Sequence, residues 1–308
     1  ANILTRTMMI FGQGAVRCHP YIQKEMHALA ETDDSKALHE FDAVLWQHIG
    51  FFLSNLVRGF WFGLSNARFS TVPGDKTTRR YYQQLTRLST SFTLSADFAL
   101  LTLGGNLKRK ERISGRFADV LSHLYLCSCV LKHFENQGSQ EEDIPLVHWA
   151  CQHSIYQAQQ SLLAVYRLLP LQIPALLLRT VLFPLGKPYS PPQDRLVGQL
   201  AQILLNDSSC RDRLTTGIYI NDNPEDATGR IEVAFKAVIL AAPIEAKLQA
   251  AQKLGKLDKG PLVSTINSAL AQNIISQADA DTFEAAEQAR ANAIMVNDFE
   301  ADELTGQL

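Results

Sequence analysis

Three consecutive stretches of more than twenty residues, each with apolar side chains at helical spacing and joined by short breaks, limit what this chain can become. The first runs from about Asp42 to Leu64 and carries Val44, Leu45, His48, Phe52, Leu56, Phe60 and Trp61 on one wide face. The second, from about Lys76 to Leu103, places Tyr81, Leu85, Leu88, Phe92, Ser95, Ala96 and Ala99 in near-heptad register, and Gly104-Gly105 stops it. The third, from about Leu107 to Glu135, aligns Ile113, Phe117, Val120, Leu121, Leu124 and Val130. Long helices with short connections must fold back on one another, and no stretch alternates as a strand would. The expected fold class is therefore all-α: an antiparallel helical bundle with additional packed helices.

Turn and cap residues place the other elements. Thr32 to Ser35 reads as an acidic loop and a domain boundary, and Asp42 as the cap of the first long helix. Thr71-Val72-Pro73-Gly74-Asp75 is a turn with Asp75 as the next cap, and Asp143 with Pro145 opens a fourth helix reaching about Leu168. Leu169 to Pro192 is apolar and proline-rich, read as two short hydrophobic helices and an extended crossover. Helices follow at about Asp194 to Leu205, in a short piece after Cys210, from Arg230 to Leu254 with Pro243 inside, from Leu262 to Gln272 and from Asp279 to Ala293. An acidic tail from Val296 to Leu308 ends the chain. The aromatic helix and the Leu162 to Leu185 stretch are expected to bury their apolar faces within the chain rather than offer them to a membrane.

Charge and cysteine usage exclude several functions. A net charge of -2 gives no field for nucleic acid, and the run Lys108-Arg109-Lys110-Glu111-Arg112 reads as a solvated helix start. Five scattered cysteines suit buried reduced thiols, not a zinc site or a redox pair. No apolar run is long enough to span a bilayer without proline or charge.

The histidines offer no metal site by spacing, since His148 and His153 are five apart and off a common helix face. His19 reads as a loop histidine capping a carbonyl, with a place at a flavin or substrate edge as the sharper alternative. His48 and His123 read as satisfied core histidines, and Arg116 with Asp119 as a surface i,i+3 pair. No nucleophile elbow, phosphate loop, dinucleotide fingerprint or paired-carboxylate site is present, so no catalytic residue and no metal ligand is assigned.

The opening, Ala1-Asn2-Ile3-Leu4-Thr5-Arg6, reads as a helix already under way, with Ile3, Leu4, Met8 and Phe11 at helical spacing and no cap before its first turn. It resembles the last catalytic segment of acyl-CoA dehydrogenases, a Glu-Gly-Thr-x-x-Ile-x-Arg motif, with Ala1 at the Thr, Leu4 at the Ile and Arg6 at the Arg. The continuation Met8 to Tyr21, Gly104 to Ser114, Asp119 to Leu126, Leu146 to Trp149 and Val296 to Phe299 is similar to the C-terminal region of the bacterial enzymes of fatty-acid β-oxidation.

That resemblance implies an enzyme whose glutamate base would stand just before Ala1, with a removed initiator Met before Ala1 as the alternative start. It implies FAD as cofactor, touched here by Ala1, Asn2 and Ile3, and an acyl-CoA substrate oxidised to a trans-2-enoyl-CoA. It further implies an electron-transfer flavoprotein as acceptor, a homo-oligomer, and a cytoplasmic location with peripheral contact at the inner membrane face. Residues 1–22 would end the flavin domain and 23–308 would form a helical extension, inactive alone. The competing reading is a free-standing helical interaction or membrane-surface module without chemistry.

Overall fold

A computed structural model describes residue 17 and residues 19–296. Among them the chain is all helix and turn, with no strand, and it divides into two compact units, residues 1–200 and 201–308. The expected all-α class holds. The opening segment and the end of the acidic tail lie outside the described residues.

The first unit is built on α1 (Ile22–Ala28), α2 (Asp34–Ser65), α3 (Arg79–Leu103), α4 (Glu111–Asn136), α5 (Ile144–Leu168) and α6 (Gln172–Leu182). Buried residues of α4 recur as Ile113, Phe117, Val120, Leu124, Cys127, Leu131 and Phe134, and those of α5 as Val147, Cys151, Ile155, Ala158, Leu162 and Val165. Both follow the alternating three-and-four spacing that meshes two helices side by side. A helix of this length spans about 39 Å, more than the short Gln137–Asp143 connection can bridge, so α5 must run back along α4. Their shared core extends through Leu88, Leu94 and Ala99 of α3 and Ala175 and Leu182 of α6.

Three capping expectations are corrected, the last in part. Helix α2 begins eight residues before Asp42, because the Asp33 carboxylate accepts the amides of Ser35 and Lys36 at 3.0 and 3.2 Å. Asp75 does accept amides, those of Thr77 and Thr78 at 2.9 Å each, but this closes a turn, and α3 starts only at Arg79. Asp143 does take the N-cap position of α5, with Pro145 in the first turn as expected, but it closes a short 3₁₀ turn in helical backbone and its side chain makes no cap hydrogen bond. The Leu169 to Pro192 stretch holds one helix, α6, rather than two, and continues as extended chain.

The burial expectation for the aromatic helix holds in part: Phe52 and Leu56 pack half-buried against the core, whereas Phe60 and Trp61 are exposed. The residues of α2 that are fully buried are Asn55, Gly59 and Gly63, a small-residue face at i, i+4 spacing. A Cβ built on Gly63 would lie 2.7 Å from Pro184 Cδ and 3.1 Å from the Leu182 carbonyl oxygen, so glycine is what lets the chain after α6 approach. Other bulky residues of α2, Trp46, Leu53, Val57 and Trp61, stay exposed. Ile173, Leu176 and Leu177 of α6 are exposed too.

A buried polar network pins the extended segment after α6. Gln159 donates to the Tyr189 carbonyl at 2.8 Å and accepts the Tyr189 amide at 3.1 Å. The Tyr189 hydroxyl and the Arg87 guanidinium both donate to Asn66 Oδ1, at 2.9 Å each, and Arg87 faces the rings of Phe183 and Tyr189. Asn66 itself ends α2 in the left-handed conformation, φ 50°.

The second unit packs α9 (Ala227–Lys253), α10 (Leu262–Ala271) and α11 (Gln277–Ile294) around Ile244, Leu248, Leu257, Ile266 and Phe283, after α7 (Asp194–Leu205) and α8 (Ser209–Thr215). Asp226 caps α9 on Thr228 and Gly229, and Ser276 with Asp279 forms a reciprocal capping box for α11. The α7 bounds are those expected from sequence, Pro243 lies inside α9, and the last helical pair is present.

Candidate functional site

The titratable groups that converge in the first unit come from four places in sequence. His19 precedes α1 and Glu25 lies on it, His48 is on α2, and Asp97 is on α3. The local fold explains His19 first. Tyr21 stands at the N-cap of α1 and its side chain caps nothing, so the first-turn amides need another acceptor. His19 Nδ1 supplies it, taking the amides of Tyr21 and Ile22 at 3.2 Å each.

This arrangement fixes the tautomer. A ring nitrogen that accepts two N–H groups cannot carry a proton, so the proton sits on Nε2 and is donated to Asp97 Oδ1 at 3.0 Å. Both side chains are nearly shut off from solvent, 8% and 4% exposed. A second histidine–carboxylate pair lies alongside: His48 Nδ1 meets Glu25 Oε1 at 2.7 Å, and the two imidazole centroids are 4.8 Å apart. Tyr21 stacks on His48 at 5.5 Å and touches Phe51 at the same distance. Together the pairs clamp the α1 segment onto α2 and α3.

Ligand atoms of His19, His48 and Asp97 lie within 4.8 Å of one another, a donor set that a metal ion accepts by composition. The His19 hydrogen bonds argue against that use. Coordination through Nε2 needs the proton on Nδ1, where two amides already donate. The cluster is better described as two ion-pair-like hydrogen bonds holding an element in place.

A cavity of about 670 Å³ adjoins it, between α1, α2, α3 and the 3₁₀ turn Gly104–Arg109. Its walls are mainly apolar, from Ile22, Leu45, Ile49, Phe52, Leu100 and Leu107. Glu25, His48 and Asp97 form a polar patch on it, and Lys108 stands at its rim. The size is that of a small-molecule pocket.

The remaining sequence candidates disperse. His19 is a capping histidine as expected, but of amides rather than a carbonyl. His148 takes the Tyr81 hydroxyl at 2.8 Å, whereas His153 stacks on Trp149 at 5.0 Å, so the two share no ligand position. Burial pushes the Tyr81 phenol up to about 12, so the hydroxyl keeps its proton. Arg116 and Asp119 form a loose pair at 3.8 Å with Arg116 half exposed. Cys127 and Cys151 are buried free thiols, Cys210 is buried and Cys129 is exposed. The Cys127 thiol is held far above its ordinary value by its hydrogen bond with Cys151 and by burial. Ala1, Asn2 and Ile3, the flavin-contact candidates, lie outside the described residues.

Sequence reasoning missed Glu25 and Asp97. Asp97 is the single carboxylate of α3, and that anomaly was the available signal.

The family model for the C-terminal part of bacterial-type acyl-CoA dehydrogenases matches residues 16–299. No solved structure matches the chain. Among the described residues no helix is long and apolar enough to cross a membrane.

Proposed function

This chain belongs to the family of bacterial-type acyl-CoA dehydrogenase C-terminal domains, and from that premise we propose that it serves as the helical C-terminal part of an enzyme oxidising acyl-CoA to trans-2-enoyl-CoA. The observation that carries this reading is the match across nearly the whole chain. The glutamate that removes the substrate α-proton belongs to the motif just before Ala1, and FAD supplies the hydride acceptor when bound. The resemblance makes Ala1, Asn2 and Ile3 the flavin-contact candidates, in the flavin domain that would end near residue 22.

The cavity beside the clamp is no part of the proposed flavin site. The cavity wall carries two carboxylates already held by histidines, and the glycine pair beside it opens a 3₁₀ turn rather than a strand-to-helix phosphate loop. What the chain contributes is position. The His19–Asp97 and Glu25–His48 pairs tie the residues that follow the catalytic segment to α2 and α3. A rigid frame behind a reacting group keeps it within the small tolerance that catalysis demands.

Electrons pass on to an electron-transfer flavoprotein, and the enzyme works in the cytoplasm as a homo-oligomer. A second reading has its own support: the exposed Trp46, Leu53, Val57 and Trp61 of α2 suit an interaction or membrane-surface module without chemistry. Flavin titration of the purified 308-residue chain tests the division of labour. No flavin fluorescence quenching and no enoyl-CoA from an acyl-CoA are expected. Stoichiometric flavin binding by this chain alone overturns the division of labour proposed here.

A further inference from the structure

The cavity between α1, α2, α3 and the Gly104–Arg109 turn has a composition that the scaffold role does not require. Its mouth is apolar and open to solvent, with Met26, Leu53 and Leu101 exposed at 59%, 53% and 81%. Its inner wall includes Phe52, Leu100 and the buried Leu107. Exposed apolar residues around a concavity of this size mark a binding site more often than a packing defect.

Charge decides what such a ligand carries at its other end. The two carboxylates on the wall are engaged, Asp97 by His19 and Glu25 by His48. Lys108 at the rim begins the run Lys108-Arg109-Lys110-Glu111-Arg112, and all four cations of that run are exposed. Among the described residues no carboxylate lies within ion-pair distance of any of them. The mouth is thus apolar on the α1 and α2 side and basic where the 3₁₀ turn enters α4.

We propose that this cavity binds the aliphatic tail of a single-chain anionic amphiphile, with its carboxylate or phosphate head set against the basic turn at Lys108. The inference rests on the cavity and the turn, and not on the dehydrogenase reading. A free fatty acid and a lysophospholipid present the same two features. The chain enters past Leu53 and Leu101, and the head stays at the solvent edge, where the lysine and arginines need not be desolvated.

Calorimetric titration of the 308-residue chain with dodecanoate, dodecyl phosphate and dodecyltrimethylammonium, each below its micelle concentration, tests the proposal. Both anions are expected to bind, and the cation of equal chain length to bind at least about tenfold more weakly. Leu101→Glu, at a position exposed enough to leave folding intact, is expected to weaken both anions about tenfold by setting a charge in the apolar mouth. Lys108→Glu weakens the anions about threefold or more and favours the cation. Circular dichroism confirms that each variant keeps its helices. Binding by neither anion, equal binding of the cation, or wild-type affinity in both variants overturns the proposal. Dodecanoate binding without dodecyl phosphate points to a free fatty acid as the source, and binding of both with lysophosphatidic acid to a membrane lipid.

Discussion

Removing the Asp97 acceptor tests the clamp more sharply than any other substitution. In Asp97→Ala the His19 Nε2 proton, in a side chain only 8% exposed, loses its partner at 3.0 Å and stays buried. An unsatisfied buried donor costs about 1–3 kcal/mol, and the helix propensity gained by alanine returns roughly 0.5 kcal/mol. The expected loss is about 2 kcal/mol. Asp97→Asn keeps an oxygen facing His19, so only the charge assistance disappears, at about 1 kcal/mol. The assay is urea unfolding followed by tryptophan fluorescence. All three tryptophans, Trp46, Trp61 and Trp149, lie in the first unit, so the signal reports the unit that holds the clamp. With a slope of about 2 kcal/mol per M, the alanine variant shifts the midpoint by about 1 M and the asparagine variant by about half of that. Alanine and asparagine variants of equal stability, or an alanine variant as stable as the parent, would refute the tautomer and the clamp together.

Two other perturbations follow from the packing and the buried histidines. Gly50 and Gly63 share α2, but a Cβ at Gly50 meets nothing within 4 Å whereas one at Gly63 strikes Pro184 and a backbone oxygen. Gly50→Ala is expected to stabilise by about 0.5–1 kcal/mol, and Gly63→Ala to destabilise by about 1–2 kcal/mol, both read by the same unfolding curve. Burial holds the His148 and His123 imidazoles below their ordinary value, the neighbouring His153 adding to the effect at His123. A depressed folded-state value means that the unfolded chain binds protons first, so stability is full above about pH 6.5 and falls as the pH drops below it. The urea midpoint is expected to fall between about pH 7 and pH 5.5, less steeply in His148→Gln; a midpoint that rises on acidification contradicts the sign.

The apolar stripes of α3 and α4 made the bundle legible, because most of their residues are the ones that bury. The start of α2 was not. Residues 34–41 are mostly exposed and carry no apolar stripe, so periodicity could not see the first two turns, and Asp33 and Asp42 are equally good caps by type. The aromatic face of α2 was legible in part: Phe52 and Leu56 do pack on the core, but the tightest burial falls on Asn55, Gly59 and Gly63, where small size permits close approach. The clamp joins residues 78 apart in sequence, a pairing that no local pattern encodes. Only the isolated carboxylate in α3 hinted at it.

As proposed above, this chain frames acyl-CoA oxidation without itself supplying the base. Enoyl-CoA formation by the 308-residue chain, measured beside a polypeptide in which a dehydrogenase flavin domain ending in Glu-Gly precedes Ala1, tests it most directly. Turnover is predicted for the joined polypeptide alone, and turnover by the 308 residues on their own would contradict the account.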